Sequence, residues 1–260
     1  MQYKTINFSK YSSIKIGPSL DVALLEECSD YDPSFTLLGA ANNTLIGDNP
    51  PPLMILSKKY DFIKIEDSAL IIGAATPSGK IASFCKNHNI AHFEFVSHLP
   101  GTLGGLLKMN AGLKEYEIFE HLIEITTCAG VYKKEELEYG YRFTNISSPV
   151  LEARFSLEYG FDPKKVEMFH AMRSNQPNIP SAGSCFKNPP GDYAGRLIEA
   201  VGLKGKRVGA MEFSSVHANF LVNHGGGSFE DALYLINEAK KRVFEEFALQ
   251  LECEIIVLNL

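Results

Sequence analysis

At 260 residues, with 45% hydrophobic and 22% charged content, the chain can bury a substantial core as one large domain or as two or three smaller ones. A formal net charge of −6 and a pI near 5.7 argue against a general nucleic-acid binder, because phosphate neutralisation needs a positive surface; nucleotide-sized anions remain accessible through local backbone and Arg/Lys contacts. The N-terminal MQYKTINFSK lacks an apolar signal core and the longest apolar stretch, Ala69 to Ala75, is too short to span a bilayer, so a cytoplasmic protein with no membrane contact is expected.

In chain order, short strand-like runs dominate the first 160 residues: Asp21 to Leu25, Phe35 to Leu38, Leu53 to Leu56, Phe62 to Glu66, Leu70 to Gly73, Leu122 to Cys128 and Leu151 to Tyr159. One helix interrupts them, starting at Ser78, with Ile81, Phe84 and Cys85 at helical spacing and the pattern fading by Asn89. After Tyr159 helices take over: Lys165 to Arg173, Ala194 to Val201, and a long one from Phe229 to about Leu249. In the last, Ser228 serves as N-cap and Leu233, Ile236, Ala239, Val243 and Phe247 form the apolar stripe. A final apolar run, Ile255 to Leu258, reads as a strand returning to a sheet, and Pro177 to Gly183 as a boundary. Strands followed by helices imply an α+β fold, and the absence of Gly-x-Gly-x-x-Gly after a first strand excludes the Rossmann device for holding a dinucleotide.

The five cysteines are scattered at least forty residues apart, so neither a zinc knuckle nor a disulfide framework fits, and reduced thiols are expected. The seven histidines show no ligand spacing; no metal site is expected, and His217 and His224, flanking Phe220 to Val222, read as structural.

Five stretches carry chemistry. Leu99-Pro-Gly-Thr-Leu-Gly-Gly-Leu-Leu-Lys-Met-Asn-Ala-Gly112 packs four glycines and an Asn between strands, either as a backbone cradle for a pyrophosphate or as a tight turn. Leu38-Gly-Ala-Ala-Asn-Asn43 is a small polar loop after a strand, either the other half of such a cradle or an ordinary turn. Ala182-Gly-Ser-Cys-Phe-Lys-Asn-Pro-Pro190 gathers a hydroxyl, a thiol, an ammonium and an amide. Ser184 there is a candidate proton donor, Cys185 its possible substitute, and Lys187 and Asn188 are candidate ligands for anionic oxygens; a helix lead-in turn is the alternative. Glu252-Cys-Glu254 places two carboxylates on one face of a strand, and Arg142 follows Tyr139-Gly-Tyr141; each is a surface charge unless it points into a cleft.

Taken in this order, the segments resemble the UDP-N-acetylenolpyruvoylglucosamine reductase family from about Lys10 to Leu258. The family's IPGTxGG…MNAG run is similar to Leu99 through Gly112, and its YR pair to Tyr141-Arg142. Gly183-Ser-Cys-Phe-Lys-Asn-Pro189, Ala194-Gly-Arg-Leu-Ile-Glu199, Gly202-Leu-Lys-Gly205, Gly209, Ser215 and His217-Ala-Asn-Phe-Leu-Val-Asn223 match its most specific stretch, and Leu251-Glu-Cys-Glu-Ile255 its ending. The resemblance implies an FAD-binding part of the vanillyl-alcohol-oxidase type in two subdomains, residues 1–56 and 57–165. A substrate-binding domain over 166–252 and a C-terminal strand, 253–260, returning to the FAD-binding part complete the expected organisation.

The resemblance also implies NADPH as co-substrate, with the UDP-sugar enolpyruvate as acceptor. Ser184 is then the proton donor, with Arg142 and Glu254 stabilising the intermediate and positioning the acid. FAD contacts are implied for Gly39, Ala40, Ala41, Asn42, Asn43, Pro100, Gly101, Thr102, Gly104, Gly105, Asn110, Ala111 and Gly112, and substrate contacts for Tyr141, Lys187 and Asn188. Ala41 and Asn42 replace a glycine and a serine of the family loop, so a negative φ is expected at Ala41, and Ile256 stands where an Arg is frequent. The chain resembles the shorter form, without the insertion carrying a substrate-covering tyrosine. A monomer with small-molecule partners only is expected. A different flavin oxidoreductase on the same cofactor domain, or a nucleotide-binding scaffold without activity, remain as alternatives, although a scaffold has no chemical reason to keep Arg142, Ser184 and Glu254 together.

Overall fold

The computed structural model describes residues 1–260. Six α-helices are present: α1 (Phe8–Tyr11), α2 (Ser78–Asn87), α3 (Leu103–Lys108), α4 (Pro163–Met172), α5 (Ala194–Ala200) and α6 (Phe229–Phe247). The chain divides into two compact units. Unit one comprises Met1–Lys4, Val22–Ala40 and Pro52–Ser174; unit two comprises Thr5–Asp21, Ala41–Pro51 and Asn175–Leu260. The class is α+β, as the order of elements implied, and no helix is long and apolar enough to cross a membrane.

Unit one is built on a five-stranded antiparallel sheet in the order Gly130–Lys133, Leu122–Thr127, Val150–Ser156, Ala69–Gly73, Ile63–Glu66. Every residue of Ala69–Gly73 is buried, which suits its continuous apolar sequence, whereas Gly130–Lys133 at one edge is fully exposed. Ile81 and Cys85 of α2 and Leu103, Leu106 and Leu107 of α3 share a core with Ile72, Ile125 and Phe155. A second sheet pairs Leu53–Leu56 in parallel with both Ser19–Leu25 and Thr36–Leu38.

Unit two contains a four-stranded antiparallel sheet ordered Ser181–Ser184, Phe220–Asn223, Met211–Phe213, Arg207–Val208. Helix α6 begins as the sequence predicts, Ser228 Oγ accepting from the Asp231 N–H at 3.0 Å, with Glu230 and Asp231 complementing the positive end of its dipole. Its buried face is Ala232, Leu235, Ile236, Ala239 and Val243, so Leu235 takes the fully buried place expected of Leu233, and Phe247 stays exposed. These residues close a core with Leu197, Ile198, Met211, Phe213 and Leu221. The terminal strand, Ile256–Leu258, pairs in parallel with Thr44–Ile46.

Three expectations are corrected. Cys28 and Cys128, 100 residues apart, form a disulfide across a Cα–Cα distance of 5.2 Å. Sequence spacing excludes a dense cysteine framework, but two distant cysteines at the ends of neighbouring elements can still meet. Gly104 and Gly105, read as loop, lie in the first turn of α3. Glycine is a poor helix former, yet a Cβ at Gly104 would stand 3.3 Å from Ala74 Cβ and O, so close packing selects it over propensity. Ala41 sits at φ +50, in the left-handed region, not at the negative φ expected for an alanine. It is buried, and Ser13 binds both sides of the turn, its N–H to Ala41 O at 3.4 Å and its Oγ to Asn42 O at 3.1 Å. These contacts offset a conformational cost of about 1–2 kcal/mol.

Candidate functional site

In unit one the two glycine-bearing stretches come together. A Cβ built on Gly39 would lie 2.8 Å from Thr102 Oγ1 and 3.8 Å from Gly105 Cα, so the turn at Gly39 approaches the start of α3 at a separation that only glycine permits without rearrangement. The 101–105 segment is seated by backbone bonds from Ser78 N to Gly101 O (2.9 Å), Leu103 N to Thr76 O (3.0 Å) and Gly104 N to Ala74 O (2.8 Å). Gly101 holds φ +141, Gly105 is exposed, and Pro100 is exposed at the rim.

The end of α3 carries Asn110, wholly buried at φ +43. Its Nδ2 donates to Glu117 Oε2 at 2.7 Å and to Gly140 O at 3.2 Å, while its Oδ1 is buried with no hydrogen-bond partner. An amide oxygen left so costs about 1–3 kcal/mol, which a donor on a bound group would offset. Gly112 passes so close to Tyr116 that a Cβ would stand 2.2 Å from its carbonyl oxygen.

Tyr141 and Arg142 form the two-residue loop of a hairpin in which Tyr139 pairs with Thr144 and Gly140 with Phe143. Arg142 is at φ +56, with its guanidinium 5.1 Å from the Tyr141 ring centroid and Nη2 3.5 Å from Gly112 O. The hairpin is sewn to α3 by Thr144 Oγ1 donating to Lys108 O at 2.8 Å and Lys108 Nζ to Ile146 O. Arg142, Asn110 and Gly112 are thus one connected constellation, which the sequence separates by thirty residues.

In unit two, Ser184 lines a cavity of about 380 Å³ together with Asn188, Tyr193, Gly195, Arg196, Glu199, Lys204, Val216, His217, Ala218 and Asn219. Read as a loop, Ser181 to Ser184 is in fact an edge strand, irregular between Ser181 and Ser184, with Gly183 at φ +80 supplying the kink. Cys185 lies on the opposite side, fully buried in the core, where burial holds its thiol well above the usual thiol range. It cannot replace Ser184 as an acid.

Asn219 fixes this strand: its Nδ2 donates to Phe186 O at 2.8 Å, its Oδ1 accepts from Phe186 N at 3.0 Å, and its own carbonyl accepts from Cys185 N at 2.7 Å. Glu254 N donates to Cys185 O at 2.9 Å, which sets the Glu254 backbone beside the strand end that bears Ser184. Asn43 completes the support, its Nδ2 donating to Glu254 O and its carbonyl accepting from Ile256 N, both at 2.9 Å. Glu252 and Glu254 part company: Glu252 is exposed and salt-bridged to Lys187, whereas Glu254 is half-buried.

Lys187 does not line the cavity. Asn188 does, and its Oδ1 caps α5 by accepting from Ala194 N at 3.1 Å. Sequence reasoning missed the cavity's cations, Arg196 paired with Asp192 and Lys204 3.0 Å from Glu199, and took His217 as structural. His217 Nδ1 accepts from Asn219 N at 3.3 Å, so its proton resides on Nε2, and burial holds its pKa below the ordinary histidine value. A neutral imidazole with one free donor results. The helical spacing of Tyr193, Arg196 and Glu199 was the available signal.

Residues 175–258 match the model of the UDP-N-acetylenolpyruvoylglucosamine reductase C-terminal domain. Over nearly their whole lengths, reductases of that name from Campylobacter jejuni (48% identity; 97% of this chain, 99% of the relative) and Helicobacter hepaticus (47%; 100% of each) are similar to it. The chain belongs to the UDP-N-acetylenolpyruvoylglucosamine reductase family. A crystal structure of the Thermus caldophilus reductase superposes with a TM-score of 0.85 at 30% identity, covering 99% of both chains, so the family fold extends through both units.

Proposed function

We propose that the chain reduces UDP-N-acetylglucosamine enolpyruvate to UDP-N-acetylmuramate, using NADPH and FAD, in peptidoglycan precursor synthesis. The observation that carries this reading is Ser184 on the wall of a cavity that also holds Lys204, Arg196, Asn188 and His217, with Glu254 tied to the adjacent backbone. A hydroxyl acid beside cations and neutral donors fits an anionic sugar nucleotide that must be protonated at carbon.

Flavin binding is assigned to unit one. The close approach of Gly39 to Thr102 and Gly105 fits a pyrophosphate held by backbone donors, and the buried, unpartnered Oδ1 of Asn110 fits a donor from the cofactor. Pro100, Gly101, Gly104, Ala111 and Gly112 belong to the same framework, as does Ala40 beside Gly39. Asn43 acts chiefly by holding the backbone of Glu254, and Ala41 and Asn42 by the turn that Ser13 ties. FAD held there would supply the hydride chemistry that links NADPH to C3 of the enolpyruvyl group.

Ser184 delivers the proton to C2 through its Oγ. Glu254 orients that acid, and the Arg142 guanidinium of unit one supplies a cation suited to an anionic oxygen. Lys204 and Arg196 bind diphosphate oxygens, with Asn188 fixing the start of α5, which carries Arg196; Tyr141 flanks the Arg142 guanidinium, and Lys187 pairs with Glu252.

The test separates the two half-reactions. Ser184→Ala should bind FAD and be bleached by NADPH at the wild-type rate, yet reoxidise at least a hundredfold more slowly with the sugar enolpyruvate; wild-type reoxidation would sink the assignment. Glu254→Gln should impair the same half, and an equal loss in both halves would remove it from the acid's support.

A further inference from the structure

A side-chain cluster in unit one, apart from every residue discussed above, brings two imidazoles and a carboxylate onto one spot. His92 follows α2, His121 immediately precedes strand Leu122–Thr127, and Glu158 lies two residues beyond strand Val150–Ser156. His92 Nε2 is 3.0 Å from Glu158 Oε2, and His121 Nδ1 is 3.9 Å from Glu158 Oε1. The two rings stack with centroids 3.6 Å apart, and one donor atom from each of the three residues falls within 4.8 Å of the others.

The three segments are fastened to one another by their backbones. Ser156 N donates to His121 O at 3.0 Å, Ala91 N to Glu158 O at 2.9 Å, and Gly160 N to Asn89 O at 2.7 Å. The side chains therefore meet on a prepared frame and not through chance surface rotamers. His92 holds φ +72, in the left-handed region that His, with Asn and Asp, enters more readily than other side chains.

We propose that His92, His121 and Glu158 bind a divalent transition-metal ion of the zinc class, with water in the fourth position. Two imidazoles and a carboxylate are a ligand set that such ions favour over calcium or magnesium. Bonds of about 2.0–2.2 Å at tetrahedral angles keep neighbouring donor atoms roughly 3.3–3.6 Å apart. The His92–Glu158 and His121–Glu158 separations of 3.0 and 3.9 Å lie near that range, and because the stacked imidazoles hold their lone pairs in nearly parallel planes, binding requires one ring to rotate about its side-chain torsions so that both nitrogens converge on the ion. Glu120 Oε1 stands 3.9 Å from His121 Nε2, on the ring edge away from the ion, beyond hydrogen-bond distance but close enough for a rotamer change to bring it onto a metal-bound imidazole. The ion would clip the end of α2 to two adjacent strands, a stabilising role that asks nothing of the reductase chemistry.

The experiment titrates chelator-stripped, flavin-loaded protein with zinc chloride in competition with a chromophoric chelator, and follows the unfolding midpoint with and without zinc. One zinc per chain and a zinc-dependent rise of the midpoint are expected in the wild type. His92→Gln and His121→Gln should each weaken binding at least tenfold and abolish the rise, and His224→Gln, which breaks the separate pair of His224 with Glu212, should keep both. If His121→Gln fails to fold, His92→Gln decides alone. Absence of stoichiometric binding, or zinc retained by the His92→Gln variant at wild-type affinity, overturns the proposal.

Discussion

Replacing Gly39 by alanine separates the proposed cradle from the stability of the unit that carries it. The new methyl would stand 2.8 Å from Thr102 Oγ1, well inside van der Waals contact, but the opposing atom is the end of a rotatable side chain. Turning Thr102 out of the way costs about 0.5–1.5 kcal/mol, the scale of an off-rotamer χ. A loss near 1 kcal/mol lowers the unfolding midpoint of a chain this size by about 2–4 °C. The methyl and the displaced hydroxyl both occupy the space assigned to the pyrophosphate, so FAD affinity should fall at least tenfold, about 1.4 kcal/mol. Titration of deflavinated protein with FAD, read by flavin fluorescence, measures that loss, and circular dichroism measures the midpoint. Gly79→Ala, with nothing within 4 Å of the new methyl on a helix, is the control and should be neutral or stabilising with unchanged FAD affinity. An FAD dissociation constant within twofold of wild type in Gly39→Ala, at an intact midpoint, would refute the cradle.

Two further outcomes follow from unit one. The Cys28–Cys128 bridge closes a separation of 100 residues, for which loop-closure entropy predicts up to about 4–5 kcal/mol; Cys28→Ser and reductant-treated wild type should lose the same amount, and a midpoint indifferent to reductant would show that the bridge contributes nothing. Burial, with smaller contributions from His170 and Arg173, holds His98 below its ordinary pKa while its Nε2 faces Val166 O at 3.2 Å. The unfolded chain therefore takes up that proton first as pH falls below about 6.5, and stability declines from there through the lower folded pKa. The midpoint of His98→Gln should fall less steeply between pH 7 and 5, and parallel slopes in the two proteins would dismiss the effect.

Much of unit one was legible because its strands are apolar runs punctuated by turns: Leu53 to Leu56 and Ala69 to Gly73 can hardly be anything but buried strands. What escaped was set by tertiary contact. Gly104 opens a helix where Ala74 stands close against it, 3.3 Å from where a Cβ would be, a constraint that no local propensity reveals. The strands of unit two, two to four residues long, are too short to show alternation, and Ser181 to Ser184 pairs only because Asn219 and Phe220 arrive from further along the chain. Ser184 itself was visible from its motif, whereas Lys204 and His217 join it only once α5 and the Phe220 strand are placed.

The parallel pairing of Ile256–Leu258 with Thr44–Ile46 bears on the order of events during synthesis. Unit one contains no residue beyond Ser174, so the strands of its sheet and its disulfide partners have all been synthesised while later residues are still being added. Unit two draws Ile14, Ile16 and Leu45 into the same core as Leu251 and Ile255, contacts separated by more than two hundred residues that no shorter nascent chain can make. Such long-range closure is slow, and it leaves the early segment waiting. The strand that seats Glu254 is therefore among the last pieces to dock, and a chain released before it would carry a folded first unit with no support for its acid.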